Sequence, residues 1–106
     1  MTTQSPFFQN TEAQIAELSL RYRLPSISGE PGAANAGILM SYGPDIRASC
    51  ERAATYVHRI LTGAKPGDLP MELPTTIPLI INLKTAKALG LAIPQSILLR
   101  ADQVIE

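Results

Sequence analysis

The 106-residue chain is 45% hydrophobic and carries 7 Gly and 9 Pro, enough for one small globular core and no more. Nine Lys and Arg balance nine Asp and Glu, which excludes the charge footprint of a nucleic-acid or anionic-membrane binder and leaves a small molecule or a protein as partner. Cys50 stands alone, so it closes no intramolecular disulfide, and it lacks neighbours at zinc-ligand spacing.

Residues 1–10 show neither the cationic start nor the apolar run of a secretory leader, so the chain as written is expected to stay in the cytosol. Pro78, Asn82, Lys84 and Lys87 interrupt the most apolar region, leaving no stretch of the ~18 residues that cross a bilayer. Thr11-Glu12-Ala13-Gln14 has the spacing of a capping box and predicts a helix from about Glu12, with Ile15, Leu18 and Tyr22 at helical spacing. Leu24-Pro25 ends it, and Ser26-Ile27-Ser28 reads as a short strand. Gly29 to Gly37, rich in Gly and Ala, reads as a loop or loose helical turn.

Ile38 to Tyr42 is a compact apolar run stopping at Gly43-Pro44, as a buried parallel strand does. Pro44 and Asp45 suit the start of the next helix, along which Ile46, Cys50, Ala53, Val57, Ile60 and Leu61 fall on one face. Cys50 is expected as a core thiol there and His58 as a surface side chain. Gly63 stops the helix, and Lys65 to Pro70 continues as a surface connection. Ile77 to Ile81 is a second strand, whose Pro78 favours an edge or the strand's first residues. Asn82 caps a short helix over Leu83 to Leu89, Gly90 closes it, and Pro94 precedes a last apolar stretch at Ile97-Leu98-Leu99. The order predicts an α/β fold of crossover units on a parallel sheet.

No nucleophile elbow, phosphate loop, metalloprotease motif or carboxylate cluster occurs, and Cys50 and His58, eight residues apart on one helix, are separated by ~12 Å along its axis. The sequence therefore predicts a protein that is not an enzyme and needs no cofactor or metal. Ser41, Tyr42 and Asp45 lie where a strand's carboxyl end meets a helix start, the usual place for a ligand in an open α/β sheet; the alternatives are a core-edge role for Tyr42 and simple capping by Asp45.

Two stretches are more particular, Gly37-Ile38-Leu39-Met40-Ser41-Tyr42-Gly43-Pro44-Asp45 and Ile80-Ile81-Asn82-Leu83-Lys84-Thr85-Ala86-Lys87-Ala88-Leu89-Gly90-Leu91. With Gly63-Ala64-Lys65-Pro66-Gly67-Asp68-Leu69-Pro70 between them and Leu99 to Glu106 at the end, they resemble the C-terminal segments of ABC-transporter substrate-binding proteins of the tryptophan- and tyrosine-uptake type. That resemblance implies part of a type I periplasmic binding fold, in which two α/β lobes joined by three crossovers close over a small solute such as an amino acid. It implies an ABC permease as partner of the intact parent protein and export of that parent to the periplasm or cell exterior. Residues 1–106 would be a single fragment, with about 1–35 and 77–106 in the second lobe, about 36–65 in the first, and hinges near 29–36 and 69–76.

By the same resemblance, Ser5-Pro6-Phe7-Phe8 is a loop that brings Phe7 and Phe8 to the cleft to stack on a flat ligand, although the pair would equally serve to cover the first helix. Glu30, in the hinge loop, would meet a ligand ammonium group or simply solvate the loop. The loop Glu30 to Ala36 and Pro78 depart from the family pattern, so the solute's identity does not transfer. A second expectation is self-association as a homodimer, because neighbouring strands and helices absent from this stretch would leave apolar faces uncovered.

Overall fold

The structure, a computed structural model, describes residue 1 and residues 5–106. Helix α1 spans Pro6–Arg21, six residues earlier than the capping box predicts. Proline at the first helical position is pre-set for the helix and has no N–H to lose. Thr11 consequently lies inside α1, where its hydroxyl donates to the Phe7 carbonyl at 3.0 Å and caps nothing. Strand β1 (Ile27–Ser28) follows, then a 3-10 turn over Pro31–Ala34, β2 (Met40–Tyr42), α2 (Ile46–Leu61), a second 3-10 turn over Pro66–Asp68, β3 (Leu79–Asn82), α3 (Leu83–Leu89), α4 (Gln95–Leu98) and β4 (Gln103–Ile105).

The strands form one sheet in chain order. β1 pairs parallel with β2 and β3 with β4, but β2 and β3 run antiparallel. The sheet is therefore mostly parallel, and the reversal falls where the chain leaves for α2 and comes back. Pro78 precedes β3, whose pairing begins at Leu79. β3 is thus an interior strand, not an edge, and the proline costs it no ladder bond. The Leu79 N–H is held instead by the Asp102 carboxylate at 2.8 Å.

Side chains alternate across this sheet, so Ser28, Ser41 and Ile80 share one face while Ile27, Met40, Tyr42, Leu79 and Ile81 share the other. The 3-10 turn at Pro31–Ala34 covers the first face and α1 packs on the turn, with a core of Ala16, Ala33 and Ile38 flanked by Ile15. Alanines at the contact let the turn approach the helix closely; Ala33 and Ala34 are fully buried. Asn82 ties this layer together. Its amide nitrogen donates to the Ala34 carbonyl at 2.8 Å and its oxygen caps α3 by accepting from the Thr85 N–H at 3.1 Å. The Thr85 hydroxyl then donates to the Gly37 carbonyl at 2.9 Å. Gly90, at φ 72°, closes α3 in the left-handed region that side chains avoid.

Residues 44–76 leave this body as an arm. α2 begins at Asp45, whose Oδ1 accepts from the N–H groups of Arg47 and Ala48 at 2.9 and 3.3 Å. None of its residues is buried. Its predicted apolar face exists but has no partner among the described residues, and Cys50 is an exposed thiol, not a core one. The return chain runs back along a different side of the helix. Arg52 grips Glu72 through Nε and Nη2, both at 2.6 Å, and the Tyr56 hydroxyl donates to the Pro70 carbonyl at 2.7 Å. Pro70 and Pro74 fix φ and keep this return extended.

β2 pairs on both sides within this sheet, so the chain leaves after Tyr42 and returns at Ile77. Gly43 marks the exit: a Cβ there would come within 1.7 Å of the Gly29 carbonyl oxygen. Only glycine lets the two segments cross.

Two outcomes follow from these contacts. Asn82→Ala leaves a buried carbonyl and a helix-start N–H unpaired, and thermal melts should show a loss of about 2–4 kcal/mol; a change under about 0.5 kcal/mol, the size of an ordinary surface substitution, would refute the role given to Asn82. Glu72 is held at a pKa of about 2, below its ordinary 4.5, above all by its hydrogen bond from Arg52. A depressed carboxylate contributes above its unfolded pKa and ceases to contribute as pH falls through its folded one. Cleavage of the 69–76 segment by an acid-active protease should accelerate between pH 4.5 and 2, and Glu72→Gln should remove that acceleration.

Candidate functional site

The end of the body where β1 and β2 finish gathers several of the sequence candidates. The Gly29–Gly43 crossing puts Glu30 and Tyr42 on either side of a backbone contact. Glu30 opens the 3-10 turn, and the Ser28 hydroxyl receives its N–H at 3.1 Å. Its carboxylate accepts from the Gln9 amide at 3.0 Å, which brings the start of α1 alongside. Phe7 and Phe8 are next in that helix, their rings edge to face with centroids 5.5 Å apart. Phe7 is 70% exposed and free to meet a planar ligand, while Phe8 is half-buried.

Ser41 is not part of this surface. It is fully buried, and its hydroxyl donates to the Pro31 carbonyl at 3.0 Å. Its part is to hold the turn that presents Glu30. Tyr42 lies one residue on and so faces the opposite side of the sheet. Its ring lines a groove with Ile27, Met40, Ile77, Leu79 and Ile97, away from the phenylalanines. Asp45 spends one carboxylate oxygen on the α2 cap, and Asp45, Ser49, Arg52 and Tyr56 border a second groove of the arm, closed by Pro70 to Thr76. The six candidates thus divide into Phe7, Phe8 and Glu30 together, Ser41 beneath them, Tyr42 on the far face and Asp45 at the base of the arm.

Gln9 and Glu12 join the first group and were not singled out from sequence. Glu12 Oε1 is buried without a hydrogen-bond partner among the described residues. Burial raises its pKa, and the nearby Glu30 raises it further. The signal was Ser5-Pro6: a helix beginning at Pro6 puts residues 9, 12 and 16 on one face, toward the turn. Among the described residues no three His, Cys, Asp or Glu gather as metal ligands, and no helix is long and apolar enough to cross a membrane.

Comparison with known proteins places this geometry. A crystal structure of a conserved domain protein from Vibrio cholerae O1 biovar El Tor matches 96% of the chain with a TM-score of 0.86 at 24% identity. The ABC domain from Streptococcus pneumoniae in complex with L-Trp matches 95% with a TM-score of 0.84 at 27% identity. A ligand-free, open substrate binding protein with adhesive properties from Clostridium difficile matches 97% with a TM-score of 0.66 at 19% identity. In each case the chain spans 34% of the solved structure, about a third of its length. A search of curated protein sequences finds no match. The sequence model of the ABC transporter substrate binding proteins covers residues 3–105, nearly the whole chain, and the chain belongs to that family.

Proposed function

We propose that this chain is the solute-binding component, as a C-terminal portion, of an ABC-type uptake transporter, and that it binds a small organic solute of the amino-acid class without catalysing a reaction. The observation that carries this reading is the match of 95% of the chain, at 27% identity, to a protein crystallised with L-Trp. The local chemistry agrees: exposed and half-buried aromatic rings beside a carboxylate suit a flat side chain and an ammonium group. In this reading Phe7 and Phe8 stack on the solute, and Glu30, oriented by Gln9, meets its positive end. Ser41 acts through the turn beneath, and Tyr42 and Asp45 border the solute only where the arm closes toward the body.

Family members act in the periplasm or outside the cell, and export of the parent protein and docking on an ABC permease belong to the same proposal. So does the division into lobes, with the sheet and α1, α3 and α4 on one side of the crossing at Gly43 and residues 44–76 on the other. Because the chain spans about a third of the solved relatives, it supplies one wall of the site, and affinity is expected to be weak, in the millimolar range of a few contacts. Titration with L-tryptophan followed by NMR should shift the resonances of Phe7, Phe8 and Glu30, and Phe7→Ala or Glu30→Gln should reduce the response several-fold. No shift at about 10 mM of any aromatic or branched amino acid, well above that range, would sink the assignment of this surface.

A further inference from the structure

Where the start of α1 meets the turn at Pro31–Ala34, the polar groups around Gln9 and Glu30 turn their donors inward. The Gln9 N–H goes to the Ser5 carbonyl at 3.0 Å, and the Glu30 N–H goes to the Ser28 hydroxyl at 3.1 Å. The Gln9 side chain donates through Nε2 to Glu30 Oε2 at 3.0 Å. That bond fixes which way the amide faces, because the flipped arrangement would set its oxygen against a carboxylate oxygen, two acceptors with no proton between them. Gln9 Oε1 is thereby turned away from Glu30 Oε2. The pair presents the amide oxygen and the second carboxylate oxygen, and the remaining Nε2 hydrogen lies beside the Glu30 charge, which repels an approaching anion. These bonds are made within the chain and do not depend on what surrounds this edge in a longer protein.

We propose that Gln9 determines specificity at this wall: its carbonyl oxygen and the Glu30 carboxylate together receive a primary ammonium, so the wall recognises aromatic amines by their ammonium end and does not require an amino acid's carboxylate. The assignment rests on the reading of Phe7 and Phe8 as the ring platform and goes beyond it, since a platform alone takes any flat molecule. An ammonium carries several N–H donors and no acceptor, which matches two acceptor oxygens set side by side by one hydrogen bond. A bond from an ionised donor to a carboxylate is about twice as strong as a neutral one, so Glu30 supplies most of the attraction and Gln9 the direction. Glu12 lies further along the same helical face, and after burial it is the charge of Glu30 that raises its pKa. The negative field of Glu30 thus reaches along this face, and a cation is the solute group it favours.

The test is an NMR titration of the 106-residue chain with L-tryptophan, with tryptamine, which keeps the ring and the ammonium, and with 3-indolepropionate, which keeps the ring and the carboxylate. L-tryptophan and tryptamine should shift the Phe7 resonances and the Gln9 side-chain amide, and 3-indolepropionate should act at least about five-fold more weakly, the modest factor of a contact screened by water. Gln9 is an exposed helical residue, so Gln9→Arg should keep the wild-type circular dichroism. That variant still donates to Glu30 but offers no acceptor and adds a positive charge, and it should reverse the order, with 3-indolepropionate ahead of tryptamine. Gln9→Met, neutral and of similar length, should weaken the tryptamine response and leave that to 3-indolepropionate unchanged. A wild-type chain that takes 3-indolepropionate as readily as tryptamine overturns the proposal while leaving the ring platform in place. So does a Gln9→Arg chain that keeps the wild-type order, since Gln9 then only positions Glu30. No shift at Phe7 with any of the three removes the platform and this assignment with it.

Discussion

The body of the protein depends on one buried side chain, Asn82, which serves three elements at once. It ends β3, caps α3 through its oxygen and holds the 3-10 turn through its nitrogen. An amide is the side-chain group suited to this, because it carries a donor and an acceptor on neighbouring atoms. An aspartate would keep the cap and lose the donor; a serine is too short to reach the turn while capping. Because Asn82 lies nearly out of water, both bonds act where an unmet partner is costly. The turn so anchored is the one that carries Glu30, and Ser41 fastens the same turn from the adjacent strand. The candidate site is therefore set by the layer beneath it, not by the mobility of its own loop.

A second constraint is the crossing of Gly29 and Gly43. The chain leaves the sheet there to build an arm that no strand of the body supports, and the arm's cohesion comes from Arg52, Tyr56 and Glu72. These groups are partly exposed, so water screens their attraction and the bidentate geometry carries more of the effect than the charge. The packing of α2 differs from that of α1 for a plain reason: Ala16 on α1 meets Ala33 of the turn, whereas the larger side chains of the α2 stripe meet solvent.

Much of this was legible in the residues. Asp45 before an amphipathic run, Asn82 before Leu83 and Gly90 after Leu89 each name a helix end through a local bond, and local bonds survive in any context. The errors have physical causes. Thr11-Glu12-Ala13-Gln14 satisfies a capping pattern, yet Ser5-Pro6 upstream is already a good helix start, and a helix once nucleated extends through a further cap signal. The direction of β3 relative to β2 depends on how the arm returns, which no short-range pattern encodes. The apolar stripe around Cys50 predicts a core thiol, and the thiol is exposed; periodicity identifies a face that wants burial, not what buries it.

The site was legible to a lesser degree, and the reason is geometric. Strand alternation puts Ser41 and Tyr42 on opposite faces, so two adjacent candidates cannot both line one surface. The sequence rule that ligands sit at strand ends names the end but not the face. What selects the face is the covering layer, here α1 with the turn, and its contribution through Gln9 and Glu12 becomes visible only once the helix is known to start at Pro6. The same argument explains the unmatched oxygen of Glu12: a carboxylate drawn into that layer beside Glu30 loses hydration and gains a like charge, and both raise its pKa. A cationic group brought to this edge would relieve both effects at once.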